Sequence, residues 1–377
     1  MRSQWFYIVS GARKGTGAAV ARMALGALAA PYAAATGARR WLYSSGVFRT
    51  RRAPIPVLSV GNITVGGTGK TPLVEHLARG LAGRGRKPAV VMRGYGATAA
   101  GGSDEATLLR ENLGEDAIVV VAPNRFEGVL TAFGESGADV AVLDDGFQHL
   151  SLARDLDIVV LDATNPFGFG RLLPAGCLRE GPAALARAQV IVLTRSDLAP
   201  EADVAELRAH VLRLVPEARV AESTYAPVRL ETLSGKSGAA LADLDGMRAS
   251  AFCGIGNPYA FGMTIRRLGA EIVYAKRFAD HHPFSAQDLV EVAREAGSRR
   301  AEVVITTQKD ATRIREGAWP DGAPPLCILH AEFALRAGER DFWKAVTRAI
   351  ASHPGWPEEA VVGDDCPGGP EDRAAPK

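Results

Sequence analysis

Six runs of strand length, "IPVLSV" (55–60), "KPAVVM" (87–92), "AIVVVA" (117–122), "ADVAVLD" (138–144), "LDIVVLD" (156–162) and "AQVIVLT" (188–194), are almost uninterrupted in apolar residues. A strand that shows one face to water alternates polar and apolar side chains, so these runs need cover on both faces, as parallel strands between helices have. The intervening segments supply it: "TPLVEHLARGLAGR" (71–84) and "RFEGVLTAFGES" (125–136) carry apolar residues at helical spacing. The pattern predicts a doubly wound α/β domain. A second set, "SAFCGIG" (250–256), "EIVYAKRF" (271–278), "AEVVITT" (301–307) and "PLCILH" (325–330), predicts a smaller α/β domain.

A chain of 377 residues is long enough for two domains of ordinary size. We expect an N-terminal segment over 1–52, a nucleotide-binding domain over 53–227 and the smaller domain over 228–350, closing a cleft against the first. The stretch 351–377, rich in Pro, Gly and acid and without apolar periodicity, has the composition of a disordered tail. Lys and Arg total 44 against 42 Asp and Glu, so the net charge of +2 gives no whole-protein attraction for nucleic acid, and none is expected as a partner. Cys177, Cys253, Cys327 and Cys366 are scattered without metal-ligand spacing, which reads as reduced thiols of a cytosolic protein.

The N-terminal segment is Ala-rich and uncharged from Met23 to Ala38, then turns to aromatics interleaved with arginines, "RRWLYSSGVFRTRR" (39–52). A spanning helix needs about 20 strongly apolar residues, and this run is shorter, weakly apolar and interrupted by Pro31, so it is not expected to span. Arg13 and Lys14 ahead of it have the layout of a secretory signal, but export would part a nucleotide site from its nucleotide. Two readings stay open. The helix either packs on the protein's own core, or lies in a membrane interface with Trp41, Tyr43 and Phe48 in the lipid boundary and Arg39, Arg40, Arg49, Arg51 and Arg52 on anionic headgroups.

Between a predicted strand and an amphipathic helix stands "VGNITVGGTGKTP" (60–72), the setting of a phosphate-binding loop. Thr64 occupies the position where the strict pattern has Gly. Gly66, Gly67 and Gly69 allow backbone N–H groups to turn toward phosphate oxygens, Lys70 reaches the β/γ-phosphates, and the Thr71 hydroxyl is placed to ligate Mg²⁺. The candidate nucleotide contacts are therefore Thr64, Val65, Gly66, Gly67, Thr68, Gly69, Lys70 and Thr71. Such a loop needs an acidic metal partner at the end of a neighbouring strand, and "ADVAVLDDGFQH" (138–149) delivers Asp144 and Asp145 there.

With these pieces stand "RGYG" (93–96), "RLLPAGCLRE" (171–180), "FCGIGNPYAF" (252–261), "FADHH" (278–282) and "TTQKDATR" (306–313). Together, and in this order, they resemble the tetraacyldisaccharide 4'-kinase family. The resemblance implies an ATP- and Mg²⁺-dependent enzyme of lipid A biosynthesis that phosphorylates the 4'-hydroxyl of an acylated glucosamine disaccharide 1-phosphate. It also implies a phosphate-loop domain and a smaller α/β domain across a cleft, with peripheral attachment to an anionic membrane surface, the cytoplasmic face of the bacterial inner membrane. It favours the interfacial reading of the N-terminal segment, and it accounts for Thr64 because the family's loop has the same "TVGG" form. One stretch departs: the family's "GDEP" reads "GSDEA" at 102–106.

Phosphoryl transfer is mostly positioning and charge stabilisation. Lys70 and the loop amides would hold the γ-phosphate, with Thr71, Asp144 and Asp145 organising Mg²⁺. The resemblance makes Asp104 the proton acceptor and His281 its partner. His149 could orient the metal-bound acids or the substrate, or be a hydrogen-bonded structural histidine; Arg179 and Glu180 could face the cleft or form ion pairs. Two rival readings come from other classes. "VLTRSD" (192–197) resembles the guanine-recognition element of GTPases and would suit a membrane-recruited switch, and a soluble kinase of a small metabolite would need no N-terminal helix.

Overall fold

The computed structural model describes residues 2–94, 104–233, 240–280, 282–315 and 317–354. His281 and the expected tail beyond 354 lie outside the described residues, as do the side chains of Asp104 and Glu105. In chain order the elements are α1 (Arg2–Val9), α2 (Thr16–Ser44), β1 (Val57–Asn62), α3 (Lys70–Ala82), β2 (Pro88–Met92), α4 (Asp104–Leu113), β3 (Ile118–Val121), α5 (Arg125–Ser136), β4 (Val140–Asp144), β5 (Leu156–Asp162) and β6 (Val190–Thr194). There follow α6 (Glu201–Leu214), β7 (Arg219–Thr232), β8 (Arg248–Cys253), α7 (Pro258–Arg267), β9 (Glu271–Arg277), α8 (Ala286–Ser298), β10 (Val303–Thr307), α9 (Gln308–Ala311), β11 (Leu326–Ala337) and α10 (Glu339–Ala351).

Every apolar run singled out above is a strand. They join in one 11-stranded sheet of order β3-β2-β4-β1-β5-β6-β7-β11-β10-β8-β9. Around β1 the order reverses: the chain leaves β1 toward β2 and, after β4, crosses to β5 on the other side. The carboxyl ends of β1, β4 and β5 therefore open a crevice of the kind that takes ligands in doubly wound sheets.

The two halves of the sheet meet at β7 and β11, the single antiparallel pair among the described strands, with Cys327 opposite Thr232 at one end and Ala337 opposite Glu222 at the other. The boundary expected between 227 and 228 falls inside β7. Running back along β7, β11 returns the chain to the first half, so α10, expected with the smaller unit, packs in the first core. There Phe342, Trp343 and Val346 join Leu58, Leu73 and Leu77. Gly80 of α3 lies beneath the Trp343 ring, where a Cβ would collide with the indole.

Pro31 does not end the N-terminal helix. α2 runs for 29 residues through it, roughly 43 Å at 1.5 Å per residue, and by length and composition is sufficient to cross a membrane. The helix is thus longer than the apolar run within it, which Arg22 and Arg39 still bound.

Candidate active site

The phosphate loop is braced from behind. Asn62, at the end of β1, donates to Thr68 Oγ1 at 2.8 Å; Thr194 Oγ1 donates to the Thr68 carbonyl at 2.7 Å, and Arg195 Nη2 to the Gly67 carbonyl at 2.9 Å. Gly66 at φ 116° and Gly69 at φ 91° hold a conformation that L side chains avoid. Gly69 delivers the chain into α3, whose N-terminus has no side-chain cap and is open to an anion. Gly66, Gly67, Thr68, Gly69, Lys70 and Thr71 line a cavity of about 550 Å³. Thr64 and Val65 do not line it: Thr64 is buried in a β-bridge to Leu178, and the Val65 amide donates to the Cys177 carbonyl at 2.8 Å. Both contacts anchor the loop's entry.

Asp144 and Asp145 stand at the end of β4, as predicted. Asp144 is buried, 3.4 Å from the Thr71 hydroxyl. Asp145 turns out at φ 55° and meets Arg179 Nη1 at 2.7 Å and Lys70 Nζ at 3.6 Å. Burial alone would raise the Asp145 carboxyl, but the charges of Lys70 and Arg179 outweigh it and hold the group below its ordinary value. At neutral pH it is a carboxylate between two cations.

Behind this cluster sits a second, structural layer. Gln148 Nε2 donates to the Asn62 carbonyl at 2.8 Å and to Glu180 Oε1 at 3.1 Å. Arg187 grips Glu180 in a fork, at 2.8 and 2.9 Å. Burial would lift the Glu180 carboxyl, yet the Arg187 hydrogen bonds lower it overall. Arg179 and Glu180 are therefore both ion-paired, the first in the cavity wall's own cluster and the second one step back. His149 shares a 3.1 Å hydrogen bond with Ser151. Burial first, then the nearby guanidiniums of Arg125, Arg154, Arg39 and Arg93, push it down to about 4, which makes it a neutral imidazole. It does not line the cavity.

The opposite wall comes from the second half. Ile255, Gly256, Asn257, Asp280 and Lys309 line the same cavity. Gly256 lies against Gly67 so closely that a Cβ would strike the Gly67 nitrogen. Asn257 Nδ2 donates to Asp162 Oδ2 at 2.8 Å, the oxygen that also takes Arg195 Nη1 at 2.5 Å. Arg267 reaches Asp197 at 2.7 Å, and Gln308 reaches Asn112 of α4 at 3.2 Å. Sequence reasoning missed Asp162, Asn257 and Asn112. Their signal is faint: Asp162 closes an apolar run, Asn257 opens α7, and Asn112 stands in the last turn of α4 with nothing to mark it. Asp104 is the first residue of α4, whose Leu108 and Asn112 line the cavity.

Comparison with known proteins decides the family. The profile described as tetraacyldisaccharide-1-P 4'-kinase matches residues 21–351. The chain belongs to this family. It is 42% identical over 325 residues to the tetraacyldisaccharide 4'-kinase of Anaeromyxobacter dehalogenans (strain 2CP-C), covering 82% of this chain and 85% of that one. With the tetraacyldisaccharide 4'-kinase of Syntrophus aciditrophicus it shares 38% over 323 residues, 79% of this chain and 85% of the relative. The crystal structure of the "apo" form LpxK from Aquifex aeolicus in complex with ATP superimposes with a TM-score of 0.65 at 26% identity, over 87% of this chain and 99% of that one. Within the kinase family, the "VLTRSD" segment needs no guanine: Thr194 and Arg195 hold the phosphate loop and Asp197 holds Arg267.

Proposed function

We propose that the chain transfers the γ-phosphoryl group of ATP to the 4'-hydroxyl of a tetraacyldisaccharide 1-phosphate, a step of lipid A biosynthesis. The observation that carries the reading is the Lys70–Asp145–Arg179 cluster at the mouth of a braced phosphate loop, in a chain of this family. Lys70 and the α3 N-terminus neutralise the phosphates, and Arg179 holds Asp145, which in turn orients Lys70.

The donor set suits Mg²⁺. The Thr71 hydroxyl and the Asp144 carboxylate are hard oxygens side by side at the phosphate end of the cavity, and Mg²⁺ is usually held by one or two such groups, substrate phosphates and its own waters. When bound, the ion neutralises charge on the β- and γ-phosphates. Asp145, already paired with two cations, positions Lys70. A sugar hydroxyl is a weak nucleophile and needs a proton acceptor; the family resemblance supports Asp104 with His281 in that role. Transfer of label from γ-labelled ATP to a lipid A disaccharide 1-phosphate, resolved by chromatography, tests the assignment; a folded protein that binds ATP and labels no lipid overturns it.

An acylated acceptor stays in a bilayer, which supports membrane association, and the need for cytosolic ATP supports the inner-membrane cytoplasmic face. The exposed side of α2 is the candidate contact. Of the five arginines read as headgroup ligands, Arg51 pairs with Glu127 at 3.3 Å and Arg52 with Asp155 at 3.0 Å, while Arg39 donates to the Gln148 carbonyl. Arg40 and Arg49 make no ion pair among the described residues. Replacing Arg40 and Arg49 together by Gln should release protein from anionic vesicles in sedimentation, at ~1 kcal/mol for each, whereas replacing Arg51 and Arg52 should change binding little.

A further inference from the structure

We infer that α2 sets the geometry of the active site: Tyr32 and Arg39 are positioning residues that hold the backbone of Arg179 and Gln148. The inference rests on the kinase reading above and adds a wiring between the apolar N-terminal helix and the phosphate-loop side of the cleft.

The half-buried positions of α2 recur at helical spacing, through Arg22, Leu25, Ala29, Tyr32 and Thr36, so one face lies on the body of the protein. On that face the helix makes two long-range polar contacts. Tyr32 Oη donates to the Arg179 carbonyl at 3.1 Å, and Arg39 Nη1, two turns later, to the Gln148 carbonyl at 3.0 Å. α1 adds a third, Trp5 Nε1 to the Pro174 carbonyl at 2.9 Å, and the Phe6 ring meets Phe169 edge-on at 5.4 Å.

The two acceptors are the residues whose side chains organise the cluster. The Arg179 guanidinium holds Asp145, and its amide donates to the Ile63 carbonyl at 2.7 Å, at the root of the phosphate loop. The Gln148 amide bridges the Asn62 carbonyl and Glu180. Tyr32 and Arg39 thus act on the same end of β1 from two directions. The other face of the helix leaves Met23 68% and Trp41 63% exposed, with Val20 and Leu28 beside them. A contiguous apolar face of this kind is suited to a lipid surface. Seating that face fixes the helix, and the helix fixes two carbonyls of the site; small displacements of reacting groups cost rate steeply.

Tyr32→Phe removes one oxygen, and Arg39→Lys keeps the charge but alters the reach. With acceptor lipid in anionic phospholipid vesicles, each variant should lower kcat by about three- to tenfold, the scale of one hydrogen bond. Vesicle sedimentation and ATP affinity should stay at wild-type values, which also shows that the variants are folded. The same loss of kcat should appear with a short-chain acceptor in free solution. Unchanged kcat in both variants overturns the inference, as does a loss that disappears when vesicle concentration is raised, since α2 would then be an anchor and nothing more. Failure of the wild-type protein to label lipid would instead strike the kinase reading.

Discussion

The two walls of the cavity are built differently. On the phosphate-loop side the bracing comes from within one half, with polar groups that serve several partners: Asn62 alone serves Thr68, Gln148 and Arg179. The facing wall meets the first through a few scattered points, chiefly Gly256 on Gly67, Asn257 on Asp162, Arg267 on Asp197 and Gln308 on Asn112. Dense bracing fixes where charge must be neutralised. Sparse bracing on the other side, about the β7–β11 joint, suits a wall that admits substrate and then completes the site.

Breaking the braced wall should cost most. Lys70→Ala removes the cation assigned above to the phosphates, so turnover should fall about 10³-fold or more with the thermal transition little changed; near-normal turnover in a folded variant would refute the assignment of this wall. Asn257→Asp keeps the oxygen that caps α7 through the Ala260 amide but turns a carboxylate toward Asp162. We expect kcat/KM for ATP to drop about tenfold, the scale of a lost hydrogen bond to a charged group, and an unchanged value would mean that the sparse wall is not fastened there. The smallest effect lies behind the braced wall. His76 of α3 packs among Phe333, Phe342 and Trp343. Burial, with Arg84 and Arg79 adding to it, holds it down to about 4. Its folded value is depressed, so the unfolded chain binds the extra proton and stability should fall as pH drops from about 6.5 toward 4. Denaturant titrations of His76→Leu should show a flatter dependence across that window, and an unchanged slope would place the proton elsewhere.

Much of this was legible in the chain. The apolar runs identified their strands because burial on both faces leaves no room for polar alternation, and "GGTGKT" with "DD" at a strand end located the phosphate side. β7 was not visible: its "RVAESTYAPVRLET" mixes polar residues with Pro227, and it becomes a strand by pairing with β11, far along the sequence. The same limit explains Arg51 and Arg52, whose acidic partners stand 76 and 103 residues away. A charge run reads as a solvated or lipid-facing surface when its partners cannot be seen. Thr64 looked like a phosphate contact because it sits in the motif, yet its side chain is turned into the packing beneath Gly168.

The placement of α10 has a consequence for how the protein is made. The core around the phosphate-loop helix stays open until Phe342, Trp343, Val346 and Ile350 arrive, long after α2 has left the ribosome. The apolar helix is therefore available to a membrane while the catalytic half still lacks one side of its core. Such long-range closure folds slowly. The order of translation thus presents α2 before the chain is able to hold nucleotide.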